Sequence, residues 1–151
     1  MAGGSGDLTR ELLHPKRGCA EASVVCDPRQ DTKRCGEGLD QVYELFDIKI
    51  ERVRQMCQNK DILLGMHPDG AVNFIIEAAC TLKLNFAIIP CCVFPSKYPR
   101  KLNDGKEVVL RDDLVLWIIE ECQRRHFPGQ LEIFSLAFDG ANKGVCGIIN
   151  Q

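Results

Sequence analysis

Asp61-Ile62-Leu63-Leu64-Gly65-Met66-His67-Pro68-Asp69-Gly70, followed by Asn85-Phe86-Ala87-Ile88-Ile89-Pro90, decides the fold. The second stretch is a continuous apolar run, the pattern of a parallel strand buried on both faces. The first reads as another strand, ending at His67. Between them Ala71, Phe74, Ile75, Ala78, Ala79 and Leu82 keep helical spacing. Asp69 stands where an N-cap would accept the first free helix N–H groups. Strand, helix and strand in this order are the unit of a parallel α/β sheet.

Toward the C-terminus, Cys91-Cys92-Val93-Phe94-Pro95 leads into a polar loop through Gly105. Asp112 or Asp113 caps a helix running to about Arg125, with Trp117 facing inward. Pro128-Gly129 breaks that helix. Leu131 to Phe138 and Val145 to Asn150 then form a hairpin around Asp139-Gly140-Ala141-Asn142-Lys143-Gly144. Toward the N-terminus, Val42, Tyr43, Phe46, Ile50, Val53 and Cys57 keep helical spacing from Leu39 onward, predicting one long helix or two short ones. This helix takes the place of a third parallel strand. Pro28 to Gly38 is a polar loop, Ala22 to Cys26 a buried strand, and Leu8 to His14 a short helix stopped at Pro15. The expected fold is α/β, a mostly parallel sheet with an antiparallel C-terminal hairpin.

The N-terminal end carries a ligand signal. Gly3-Gly4-Ser5-Gly6-Asp7-Leu8 opens a helix, and Asp27 follows about 20 positions on at a strand end. Glycines let the backbone approach a nucleoside cofactor where a side chain would collide. The acid accepts hydrogen bonds from ribose hydroxyls. A bare glycine turn is also compatible with a flexible start, and Asp27 with a cap on the Pro28 turn. The strand expected before the glycine turn is absent, since the chain starts at Met1-Ala2.

At 151 residues, 45% hydrophobic and 26% charged, the chain has the composition of one globular domain with a core. A net charge of −2 supplies no global field for nucleic acid, so an RNA partner would meet a local patch. Lys97, Arg100 and Lys101 form one candidate patch and Arg124, Arg125 and His126 another; taken alone, each is better explained as solvated surface charge. Nine cysteines, odd in number and scattered, several inside apolar runs (Cys26, Cys80, Cys91, Cys122), suit a reducing intracellular compartment, cytoplasm or nucleus. No leader peptide and no membrane-spanning stretch is expected.

The element order, closed by a hairpin, resembles the class I S-adenosylmethionine-dependent methyltransferases, a Rossmann-like fold, over nearly the whole chain. Within that superfamily Gly65-Met66-His67-Pro68-Asp69-Gly70 with Ile89-Pro90-Cys91-Cys92 resembles a eukaryotic branch having a histidine turn after the fourth strand and a Cys-Cys pair after the fifth. That branch includes the enzyme that 2′-O-methylates the tRNA acceptor stem. The resemblance implies S-adenosylmethionine as cofactor, with Gly3, Gly4 and Gly6 near its methionine end and Asp27 on its ribose. It places His67, Asp69, Cys91 and Cys92 along the methyl-transfer cleft, with His67 and Asp69 as catalytic candidates and His67 and Cys91 also touching the cofactor. RNA, tRNA or rRNA, is the implied substrate class. Ala2 stands where the superfamily usually has an acid, which removes a contact to the cofactor's amino group. By the same resemblance residues 1–151 form one domain, N-terminally incomplete, whose sheet a missing segment or a protein partner would complete.

Two readings of several residues stand side by side. His67, directly after an apolar strand, sits where open α/β sheets bind ligands and could orient a hydroxyl or take its proton; it could equally bond the neighbouring loop. Methyl transfer from a sulfonium rests largely on positioning donor and acceptor, so no catalytic base is obligatory. Adjacent Cys91-Cys92 without any C-x-x-C pair argues against zinc, so no metal is expected. The loop from Phe94 to Gly105, with Tyr98, could stack a base and touch an RNA backbone, or be a mobile solvated lid. The chain reads as a methyltransferase, with a catalytically inactive fold serving as a binding or assembly subunit of an RNA–protein complex as the alternative.

Overall fold

A computed structural model describes residues 7–16, 18, 20–28, 40–137 and 139–149. In chain order these form α1 (Asp7–Leu12), β1 (Val24–Cys26), β2 (Asp40–Val42), α2 (Glu51–Gln58), β3 (Ile62–Met66), a 3-10 turn (Asp69–Ala71), α3 (Val72–Leu82), β4 (Asn85–Ile89), α4 (Arg111–Arg124), β5 (Gln130–Ser135) and β6 (Lys143–Ile148). The protein is a small α/β domain. Its strands form a four-stranded sheet in the order β3-β4-β6-β5 and a separate two-stranded sheet, β1-β2.

The expected mostly parallel sheet is corrected to a mixed one. β1·β2 and β3·β4 are parallel, whereas β4·β6 and β5·β6 are antiparallel. The hairpin folds so that its second strand, β6, lies against β4, and this gives the larger sheet more antiparallel than parallel pairing. A second correction concerns Leu39 onward. Asp40–Val42 is a strand paired in parallel with Val24–Cys26, and no helix begins before Glu51. A strand of three residues is too short to print an alternation that could compete with a helical one. Val42 and Phe46 are buried as their spacing suggests, but Tyr43 is 42% exposed, which a shared helix face would not allow. At Asp47 the carboxylate accepts the Lys49 N–H at 2.9 Å, a turn that competes with helix, and Ile50 is extended before α2 begins.

The core is built from alternating positions of the central strands and one face of each helix. Phe86 and Ile88 of β4, Val145 of β6, Ile75, Ile76 and Ala79 of α3, and Leu114 and Ile118 of α4 are all essentially solvent-free. Phe86 meets Phe127 edge to face, with ring centroids 5.3 Å apart. Each such large side chain stabilises the fold by about 1.5–3 kcal/mol through burial. α3 packs against both α2 and α4. Between α3 and α4 the Cys80 and Cys122 thiols are hydrogen-bonded, and that bond with burial pushes the Cys122 thiol well up. Burial likewise raises the Cys26 thiol to about 11. Seven cysteines, Cys26, Cys57, Cys80, Cys91, Cys92, Cys122 and Cys146, are free thiols. No helix among the described residues is long and apolar enough to cross a membrane.

Candidate functional site

β3 and β4 end together. Met66 pairs with Ile89 in the parallel register, and the His67 N–H donates to the Ile89 carbonyl at 2.8 Å. His67 and Cys91, far apart in sequence, therefore leave neighbouring strands at the C-terminal edge of the parallel pair. That edge is where α/β sheets present ligand-binding loops. His67 is held in the left-handed region, φ 53°, which is uncommon for a residue with a Cβ. Pro68 is buried behind it, and the exposed imidazole Nε2 lies 3.3 Å from the Ala141 carbonyl oxygen of the β5–β6 turn. A carbonyl oxygen only accepts, so Nε2 is the donor in that contact. Of the two sequence readings of His67, the bond to a neighbouring loop is the one this contact shows.

α3 is entered differently from expectation. The Asp69–Ala71 3-10 turn precedes it, and neither Pro68 nor Ala71 makes a side-chain cap bond. The backbone at Asp69 belongs to this turn; the placement of its side chain is outside the described part. Gly3, Gly4 and Gly6 also lie outside the described residues. Asp27 directly follows β1, is 9% exposed, and its N–H donates to the Val42 carbonyl at 3.1 Å. Cys91 is half-buried and Cys92 exposed. Among the described residues no three histidine, cysteine or acidic side chains come together as a metal cage.

The loop after β4 is not the free lid that its polarity suggested. Residues 91–110 form a strap fastened at several points. Arg100, expected as a surface cation, is 7% exposed. Its Nη2 and Nε donate to Asn73 Oδ1 at 2.9 and 3.3 Å, and its Nη1 to the Val93 carbonyl at 3.2 Å. Its guanidinium also stacks on Trp117 at 4.9 Å and on Tyr98 at 5.3 Å. Desolvation lowers the affinity of this group for its proton, but a guanidinium remains charged in any protein. Tyr98 lies against Gly70, where a Cβ would meet the phenol unless the Tyr98 ring shifted. Farther along, Asn103 N–H donates to Glu120 of α4 at 2.8 Å, and Lys106 reaches Asp113 at 2.6 Å. Asp113 also accepts the Leu110 N–H at 3.2 Å, so it serves α4 as the third helical residue reaching back, with Leu110 at the cap. The Lys106 hydrogen bond holds the Asp113 carboxyl below its ordinary value.

Sequence reasoning missed Asn73 and Trp117 as anchors of the strap. An asparagine at the start of an apolar helix was the available signal. Of the basic patches, Lys97 and Lys101 remain exposed, and Lys101 lines a cavity of about 320 Å3 together with Pro95, Pro99, Arg100, Glu107 and Val108. In the other patch, Arg124 and Arg125 both pair with Glu121 one turn earlier, and His126 is exposed at the helix end. No model of a known protein family, no curated protein and no solved structure matches this chain.

Proposed function

We propose that the chain is a Rossmann-like, class I S-adenosylmethionine-dependent methyltransferase domain acting on RNA, tRNA or rRNA. The observation that carries this reading is the meeting of the His67 turn with the Pro90-Cys91-Cys92 segment through the His67 N–H to Ile89 carbonyl bond. Two segments that the family resemblance joins are joined here by backbone. In this reading S-adenosylmethionine supplies the methyl group, and Asp27 after β1 receives the ribose hydroxyls with Gly3, Gly4 and Gly6 at the methionine end. His67 orients the acceptor hydroxyl through its other ring nitrogen, and a strained backbone there agrees with a positional role. Asp69 and Cys91 flank it. Lys97 and Lys101, exposed on the strap, are the cations left to meet a phosphate backbone once Arg100 is committed to Asn73.

A second reading has its own support. Ala2 replaces the acid expected near the cofactor, and the β1-β2 pair is separate from the larger sheet. Both favour a catalytically inactive fold that serves as a binding or assembly subunit of an RNA–protein complex. Calorimetric titration with S-adenosylmethionine, together with tritium transfer to total RNA, separates the two. Saturable cofactor binding and transfer, slowed by His67→Ala more than the affinity is weakened, supports the enzyme. Heat silence at millimolar cofactor, with RNA or protein capture intact, supports the subunit.

A further inference from the structure

α3 and α4 each lead into a strand, α3 into β4 and α4 into β5. β4 and β5 both lie antiparallel to β6, so they run in the same direction. The two helices pack against each other and therefore end on the same side of the sheet. Cys80 and Cys122 each stand two residues before the end of their helix. Backbone bonds fix both ends: the Leu84 N–H donates to the Ala79 carbonyl at 3.0 Å, and the Phe127 N–H to the Cys122 carbonyl at 2.9 Å. The Phe127 ring then closes on Phe86 of β4, the strand that α3 enters. Across this junction the Cys80 and Cys122 thiols face each other within hydrogen-bond reach. Neither takes part in the site built around His67.

The two sulfurs differ. Cys122 is solvent-free, whereas Cys80 is half-buried and can be met from solvent. The hydrogen bond from Cys122 holds the Cys80 thiol below its ordinary value against the effect of burial; the Arg125 guanidinium acts in the same sense, and Glu121 opposes it. A reachable thiol that ionises readily beside a second thiol is the setting of a redox-sensitive pair. We propose that Cys80 and Cys122 form an oxidation site for hydroperoxides, at which a disulfide staples α3 to α4. The Cys80 thiolate attacks one oxygen of hydrogen peroxide, the O–O bond breaks, and the leaving hydroxide takes up the thiol proton as water. The Cys122 sulfur then attacks the resulting sulfenic acid. The S–O bond breaks, the S–S bond forms, and a second water carries away the Cys122 proton. Two thiols lose two electrons and two protons, and the peroxide is reduced to two waters. The bond joins the helices that fasten the strap through Asn73 and Glu120, and a thiol reductant reverses it. This inference is independent of the methyltransferase reading, since it requires neither cofactor nor RNA.

The test treats the reduced 151-residue chain with stoichiometric hydrogen peroxide, then alkylates it and digests it with trypsin. Residues 61–83 and 112–124 are tryptic fragments that hold one cysteine each, Cys80 and Cys122. Expected is a joined fragment two hydrogens lighter than their sum, which dithiothreitol separates and which forms less when the chain is unfolded in guanidinium before oxidation. In Cys122→Ala, dimedone should capture Cys80 as a sulfenic acid, whereas in Cys80→Ala the Cys122 thiol should survive the peroxide. The wild-type fragments decide the matter even where a variant fails to fold. The proposal is overturned if the two fragments stay unjoined while Cys91 and Cys92 are oxidised, or if the unfolded chain yields as much of the joined fragment. It is equally overturned if dimedone labels Cys122 in Cys80→Ala and leaves Cys80 unlabelled in Cys122→Ala.

Discussion

The four-stranded sheet and the β1-β2 pair are made of similar residues and held in different ways. β4 has a strand on each side, and its Phe86 and Ile88 are sealed by α3, α4 and Phe127. β1 has one strand beside it, three residues long, yet Val25 and Cys26 are as buried as anything in β4. Burial alone therefore does not distinguish the two regions. What differs is how many independent supports remain when one is removed.

The contrast can be broken with the largest effect by comparing Phe86→Ala with Val25→Ala in urea unfolding. Phe86→Ala is expected to cost about 3–5 kcal/mol, and Val25→Ala about 1–2 kcal/mol through loss of its two methyl groups. Hydrogen exchange should place the β4 and β6 amides at the global unfolding free energy and the β1-β2 amides well below it. Equal costs and equal protection would mean that the two sheets unfold as one unit. The next effect is at the strap. Arg100→Lys keeps the charge and loses the fork onto Asn73, so a loss of about 1.5–3 kcal/mol is expected, with new protease cleavage within residues 91–110. Unchanged proteolysis would show that the remaining bonds suffice.

A third comparison asks whether the weaker sheet carries the ligand. Under the proposed function Asp27→Ala lowers S-adenosylmethionine affinity by about 10- to 100-fold, the worth of charge-assisted hydrogen bonds. Equal affinity in the two proteins would remove Asp27 from the site. The smallest effect lies in the stronger region. Because Lys106 depresses the Asp113 carboxyl, the stabilisation it brings is complete above the ordinary carboxylate value of about 3.9 and is lost as pH falls through the depressed one. Asp113→Asn should therefore melt lower than wild type near neutrality, and the gap should close in acid. A gap that widened in acid would reverse the assignment.

Much of the larger sheet was legible because its segments are long enough to print a period. Asn85–Ile89 and the α3 face were readable from the alternation of run and stripe, and the hairpin from its glycine turn. β2 was not, because Val42 and Phe46 happen to sit four apart and both turn inward for different reasons, one in a strand and one in a turn. The His67 turn was legible from its place after an apolar strand. The fate of Arg100 was not, because its partners Asn73 and Trp117 are brought to it by packing of two helices, which no local pattern encodes.

The strap has a thermodynamic consequence for whatever docks beside His67. Ordering the backbone of one loop residue costs about 1–2 kcal/mol of entropy. Arg100 on Asn73, Tyr98 on Gly70 and Asn103 on Glu120 meet that cost during folding, before any ligand arrives. Association at this edge should then show a small ordering entropy, with a heat-capacity change that tracks the apolar surface covered and little from loop closure.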